Sequence, residues 1–210
     1  DPSEDSQQSE TLLGASVPTP RRQILRLATA GSVDDGKSTL IGRILHDTGS
    51  LPTDHLEGVT SDDGDVDLAA LSDGLRAERE QGITIDVAYR FFSSPTRSYV
   101  LADTPGHERY TRNTFTGASN AHVAVLLVDA RKGLLRQTRR HARIATLVGV
   151  PHIVAAVNKI DLVDFSADRF AELVADLNEL ATNVGAAEIT AIPVAAKLGD
   201  NVVNKSENTP

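Results

Sequence analysis

Gly31-Ser32-Val33-Asp34-Asp35-Gly36-Lys37-Ser38 fits the pattern G-x-x-x-x-G-K-[ST] at every position. Each residue type has a reason. Glycines let backbone N–H groups close around phosphates at a helix N-terminus. The Lys37 ammonium can reach β- and γ-phosphate oxygens, and the Ser38 hydroxyl can ligate Mg²⁺. The context is also right, with the apolar run LRLATAG (25–31) before the loop and KSTLIGRILHD (37–47) after it. Leu40, Ile41, Ile44 and Leu45 have helical spacing, so the loop joins a strand to a helix. Asp34 and Asp35 are the odd residues, because carboxylates repel a triphosphate. Two readings stay open. The carboxylates point away, or a cation sits between, and a monovalent ion held by Asp34 would make hydrolysis potassium-dependent.

A phosphate loop does not choose a base. Asn158-Lys159-Ile160-Asp161 does, because the Asp161 carboxylate can accept hydrogen bonds from guanine N1–H and N2–H₂. Adenine offers neither donor, and a site built on such pairing discriminates by roughly 10⁴ or more. Asn158 would tie neighbouring loops together, and the Lys159 stem could lie along the base. Asp103-Thr104-Pro105-Gly106 ends the run SYVLAD (98–103). There Asp103 can hold Mg²⁺ through water, and the Gly106 N–H can bind a γ-phosphate. Loss of that phosphate releases the loop, which makes it a switch. His107 follows where a residue that positions water is needed. Thr84, in GITID, is the candidate for the second hydroxyl on Mg²⁺. Arg76, Arg79 and Glu80 read as a solvated face, and Arg139, Arg140, His141 and Arg143 as another. Nothing marks an arginine finger.

These residues need a scaffold, and the pattern supplies one. TIDVAYRFF (84–92) and SYVLAD (98–103) read as a hairpin turning at residues 93–95. HVAVLLVDA (122–130), HIVAAVNK (152–159) and ITAIPVAA (189–196) read as buried strands. Amphipathic helices are expected over 134–149 and 167–185, each ending at a glycine. Strands buried on both faces and alternating with helices mean an α/β fold with a parallel sheet. Residues 1–23 are polar and aperiodic and read as a disordered leader before a domain over 24–210. Within 48–82, residues 61–67 read as an acidic loop and 68–82 as helical; residues 199–210 show no core pattern.

Composition narrows the rest. A chain of 210 residues is one large domain or one domain with tails, and a net charge of −8 disfavours coating DNA or an anionic membrane. With no cysteine there is no disulfide, thiolate metal site or cysteine nucleophile, which suits a reducing, cytoplasmic setting. No apolar run approaches the ~18 residues that span a bilayer. With only three Tyr and five Phe, the core must be built from Leu, Ile, Val and Ala. The chain opens on Asp1 and closes without a final helix, so it is expected to be a piece of something longer.

These motifs resemble the translation-factor superfamily of GTPases. Within it, the large, GTPase subunits of two-subunit sulfate adenylyltransferase are the most similar family. The stretches carrying the resemblance include LRLATAGSVDDGKSTLIGR, DGLRAEREQGITIDVAYRFF, ADTPGHERYTRN, VDARKGLLRQTRRH and AVNKIDLVDFS, within 24–210. Elongation factors typically have D-H-G-K-T and A-R-G-I-T-I where this chain has Asp35-Gly36-Lys37-Ser38 and Glu80-Gln81-Gly82-Ile83-Thr84. The resemblance implies a P-loop NTPase G domain, with a six-stranded, mainly parallel sheet flanked by helices. It implies GTP and Mg²⁺ held by Gly31, Ser32, Val33, Asp34, Asp35, Gly36, Lys37, Ser38, Thr39, Asn158, Lys159 and Asp161. Ala195-Ala196-Lys197 stands where the family has Ser-Ala-Leu, and its guanine contact is a backbone N–H that Ala196 still supplies. The family pairs with a small catalytic subunit that makes adenosine 5′-phosphosulfate and pyrophosphate from ATP and sulfate, driven by GTP hydrolysis. Some members carry a fused adenylylsulfate kinase, and the family's chain continues into a last helix and two β-barrels. The 54–67 segment is shorter than in the family. A translation-type GTPase acting on the ribosome is the alternative, and an adenylylsulfate kinase would not need Asn158 and Asp161.

Overall fold

The computed structural model describes residues 23–51, 66–72, 87–105 and 111–209. Six strands form one sheet in the order β2-β3-β1-β4-β5-β6. They are β1 (Gln23–Ala30), β2 (Ala88–Ser93), β3 (Arg97–Asp103), β4 (Val123–Asp129), β5 (His152–Asn158) and β6 (Ile189–Pro193). All neighbours pair in parallel except β2, which runs antiparallel to β3 at the edge. The helices are α1 (Lys37–Asp47), α2 (Leu68–Ser72), α3 (Thr111–Ala118), α4 (Arg136–Leu147) and α5 (Ala167–Val184), with a 3₁₀ turn over Ile160–Val163.

The burial of each strand follows its place. β4 and β5 sit mid-sheet with helices on both faces, so they are almost continuously buried and read as apolar runs. β2 alternates half-buried and exposed residues, as an edge strand with one wet face does. The Ser94 N–H donates to the Arg97 carbonyl at 2.8 Å and closes the β2–β3 turn.

α5 shows how local chemistry sets helix ends. Ser166 accepts the Arg169 N–H at 3.2 Å, Asp168 lies in the first turn, and Gly185 stops the helix at φ 74°. Its buried residues, Leu173, Leu177, Leu180 and Ala181, recur at helical spacing. They join the alanine-rich core on one sheet face, while Ile41 and Leu45 of α1 pack with Leu101 on the other. At Gly42 there is no room for a side chain, because a Cβ would overlap the Leu68 carbonyl oxygen. That close approach seats α2 on α1.

Several sequence boundaries are corrected. Gln23, placed in the leader, pairs with Arg97 in β1. The last strand ends at Pro193 rather than 196, because the chain turns there and Ala195 bridges Asp200. Residues 199–209 are tied in: Asn201 Nδ2 donates to the Pro193 carbonyl at 3.0 Å, and Val202 packs on a buried cluster. α3 was not expected at all. Of the helix expected over 68–82 only Leu68–Ser72 is described; residues 73–82, with Arg76, Arg79 and Glu80, lie outside the described residues.

His141 is also corrected. It was read as part of a charged surface, but it is 2% exposed on the inner face of α4. Its Nε2 lies 3.1 Å from Gln137 Nε2, and its Nδ1 has no partner. Burial, then the positive charges of Arg140 and Lys37, push its pKa down to about 4. The unfolded chain therefore takes up a proton between about pH 6.5 and 4 that the folded chain refuses. Stability is lost as pH falls through that window, by about 3 kcal/mol at its end. Asp35 acts oppositely: burial raises its pKa to about 6, so its folded form loses stability as pH rises through that value. Urea unfolding of wild type and His141→Leu at pH 7 and 4.5 separates the two. The variant should lose markedly less stability on acidification; parallel losses would clear His141 of the effect.

Candidate nucleotide site

The carboxyl ends of β1, β3, β4, β5 and β6 open on one edge, with β1 flanked by β3 and β4. In an open α/β sheet that edge, beside the point where strand order reverses, is where ligands bind. The loop after β1 is held in a tight curl. Asp35 is 1% exposed and turns back to accept the Ser32 N–H at 2.8 Å. Of the two readings of the loop carboxylates, the bond to Ser32 fits the first for Asp35, a group pointing away from the ligand, while Asp34 is exposed. Gly36 stands at φ 89°, and a Cβ there would overlap Asn158 Nδ2. α1 starts at the next residue, so its N-terminal amides face the loop's concave side.

Lys37 Nζ is buried against the Asp103 carboxylate, whose Oδ1 also lies 3.5 Å from the Thr29 hydroxyl. The Thr104 hydroxyl donates to the Thr29 carbonyl at 2.5 Å, and the Thr114 hydroxyl to the Pro105 carbonyl at 3.1 Å. These bonds fix the root of the Asp103-Thr104-Pro105 loop against β1 and α3. Gly106, His107 and Thr84 lie outside the described residues.

The loop after β5 is welded to the loop after β1. Asn158, 2% exposed, donates through Nδ2 to the Asp35 carbonyl at 2.9 Å. Its Oδ1 accepts the Ala196 N–H at 3.0 Å. One side chain thus joins three loops. Lys159 and Asp34 both stand in the left-handed region, at φ 61° and 72°, which costs energy for residues with a side chain. The Lys159 ammonium offsets this by donating to the Asp34 carbonyl and lying 3.0 Å from Asp129 Oδ2. Among the described residues the Asp161 carboxylate makes no side-chain hydrogen bond. Ala196 differs from expectation, since its N–H is engaged by Asn158, and among the described residues the next amide, Lys197, makes no backbone hydrogen bond.

Sequence reading missed Asp129, Arg131 and Arg43. Asp129, wholly buried at the end of β4, accepts Arg131 at 3.0 and 2.7 Å besides pairing with Lys159. Burial alone would raise its pKa, but the hydrogen bonds from Arg131 and Lys159 prevail and hold the carboxyl well below its ordinary range. An aspartate closing a buried strand at this edge was the available signal. Arg43, on α1, donates to the Ala196 carbonyl at 3.1 Å and to the Lys197 carbonyl, pinning the third loop.

The residues present suit a nucleoside triphosphate with its metal. Ser32 Oγ is a buried hydroxyl without a partner in the loop, and Lys37 and Asp103 bring opposite charges to its mouth. The comparisons agree with this geometry. The model of the elongation factor Tu GTP binding domain matches residues 22–206. The chain belongs to that family, and is accordingly a GTP-binding domain. It is 55% identical over 197 residues to sulfate adenylyltransferase subunit 1 of Bacteroides fragilis, which covers 90% of this chain and 41% of the relative. It is 54% identical to the bifunctional enzyme NodQ of Rhizobium meliloti, over 90% of this chain and 31% of that one. The crystal structure of Sup35 complexed with GDP superposes with a TM-score of 0.66 at 26% identity, covering 98% of this chain and 45% of that one. The chain therefore spans less than half the length of these relatives. No described helix is long and apolar enough to cross a membrane.

Proposed function

We propose that this chain, residues 24–210 as one domain, hydrolyses GTP and couples that hydrolysis to the formation of adenosine 5′-phosphosulfate and pyrophosphate from ATP and sulfate. The carrying observation is the Asn158 bridge, which joins the phosphate loop to the loops bearing Asp161 and Lys197. Base and phosphate recognition then share one rigid frame. Sequence identity of 55% to a sulfate adenylyltransferase subunit supports the coupled reaction.

In this reading the amides of residues 31–39 and the Lys37 ammonium hold the phosphates. Lys37 would exchange its Asp103 partner for phosphate oxygens, and Asp103 would hold the metal through water. Ser38 and Thr84 supply the metal's hydroxyl ligands. Mg²⁺, when bound, neutralises charge on the β- and γ-phosphates. The Gly106 N–H would hold the γ-phosphate, and His107 would orient the attacking water. Asp161 accepts from the guanine edge, the Lys159 stem covers the base, and the Ala195-Ala196-Lys197 loop offers its remaining amide. A monovalent cation beside the exposed Asp34 carboxylate belongs to the same reading. Hydrolysis without an activator should be slow, on the order of 10⁻⁴ to 10⁻² s⁻¹.

The partner is a small catalytic subunit, in the cytoplasm. A longer chain with a fused adenylylsulfate kinase in some cases belongs to the same reading; this chain covers 31% of a relative named as bifunctional. The test is GTP turnover by the full-length protein with and without that subunit, ATP and sulfate. Strong stimulation with adenylylsulfate formed alongside is expected. Turnover indifferent to all three would overturn the sulfate reading and leave the GTPase.

A further inference from the structure

Four arginines on α4, Arg136, Arg139, Arg140 and Arg143, are exposed and follow the spacing i, i+3, i+4, i+7. They stand along one side of a groove of about 620 Å³ between α4 and α5. Among the described residues none of the four makes a side-chain hydrogen bond or ion pair. The α5 side of the groove supplies Leu180, Asn183 and Val184 and no carboxylate.

This arrangement works against its own helix. The pairs 136/139, 136/140, 139/143 and 140/143 each set like charges one turn apart, which destabilises a helix. Arg136 opens the helix, where the dipole favours an anion; the first turn carries no acid, and Leu135 provides no side-chain cap. In a chain of net charge −8, this concentration of unpaired positive charge is not needed for solubility. It is instead the complement of an anionic surface.

The chemistry favours an acidic protein over a nucleic acid. All four cations are arginine, which pairs bidentately with carboxylates and is enriched at protein interfaces. Leu180 and Val184 give the groove an apolar floor. No aromatic lines the groove, so bases would find nothing to stack on.

We propose that the α4–α5 groove docks an acidic segment of the catalytic subunit, its carboxylates meeting Arg136, Arg139 and Arg143. This assignment rests on the function proposed above. The test is calorimetric titration of the full-length protein with that subunit at low and moderate salt, beside an Arg136→Glu/Arg139→Glu/Arg143→Glu variant. Reversal should weaken binding by about 100-fold or more and flatten the salt dependence. GTP affinity, read on the same samples, should stay within about twofold, because none of the three touches the nucleotide site. A lysine variant at the three positions keeps the charge without the fork and should fall between.

Equal affinity of wild type and reversed variant would overturn the docking assignment alone. Failure of the wild type itself to bind the subunit would overturn the function proposed above, and this assignment with it. Binding of a 20-nucleotide single-stranded RNA by the wild type, lost in the reversed variant, would also overturn it and give the groove to nucleic acid.

Discussion

An Asp161→Asn variant is expected to exchange GTP for xanthosine triphosphate as its preferred ligand. The guanine edge presents two donors, N1–H and N2–H₂, and a carboxylate has two acceptors for them. An asparagine keeps one acceptor and turns a donor toward the N2 amine, so one bond is lost and one clash of donors is made. Xanthine replaces that amine by a carbonyl, which accepts from the new amide. Polar matching of this kind is worth on the order of 10⁴ in discrimination. The geometry makes the substitution clean. Asp161 sits in the first turn of the 3₁₀ segment, just after Lys159, and its carboxylate is not part of the bonding that fixes the loop. Asn158 and Lys159 do that work. Competition binding of the two triphosphates is the measurement, and an unchanged preference for GTP would remove Asp161 from base recognition.

His107→Ala should slow GTP hydrolysis by about 10²-fold or more while leaving GTP affinity in place. The reason begins with what precedes it. Asp103, Thr104 and Pro105 are bonded to β1 and α3 through the Thr29 and Thr114 contacts. His107 therefore follows, two residues on in the sequence, a fixed root at Pro105. A side chain that only positions water contributes in the transition state and little in the ground state, so turnover falls and affinity does not. Single-turnover hydrolysis beside equilibrium binding separates the two. A variant with wild-type turnover would take His107 out of the mechanism.

What could be read from the sequence was whatever depends on near neighbours. Gly36, Lys37 and Ser38 are contiguous, as are Asn158 to Asp161, and their chemistry is set by residue type and spacing. The sheet was legible because β4 and β5 are apolar without interruption. Partners distant in the chain were not legible. Asp129 is defined by Arg131 and Lys159, and the use of the Ala196 N–H by Asn158 depends on a contact 38 residues apart. α3, with its threonines and Gly117, has poor intrinsic helix propensity and is held by tertiary contact, so its sequence gave no period to follow. His141 was misread for the opposite reason. It shares a buried face with Thr138, Ala142 and Ala145, but its arginine neighbours made the local composition look like surface.

The seating of α2 on α1 has a consequence for how this domain can change over time. Leu51 packs with Ile41 and Leu45, and Leu68 rests on the bare backbone at Gly42, so the chain between them leaves and returns to the same helix. A stretch whose two ends are clamped side by side is a graft site. Lengthening it costs only about 0.6 kcal/mol for each doubling, and shortening it displaces nothing downstream. That stretch is where peptide tags or reporter sequences could be inserted without disturbing the phosphate loop, which precedes the first residue of α1.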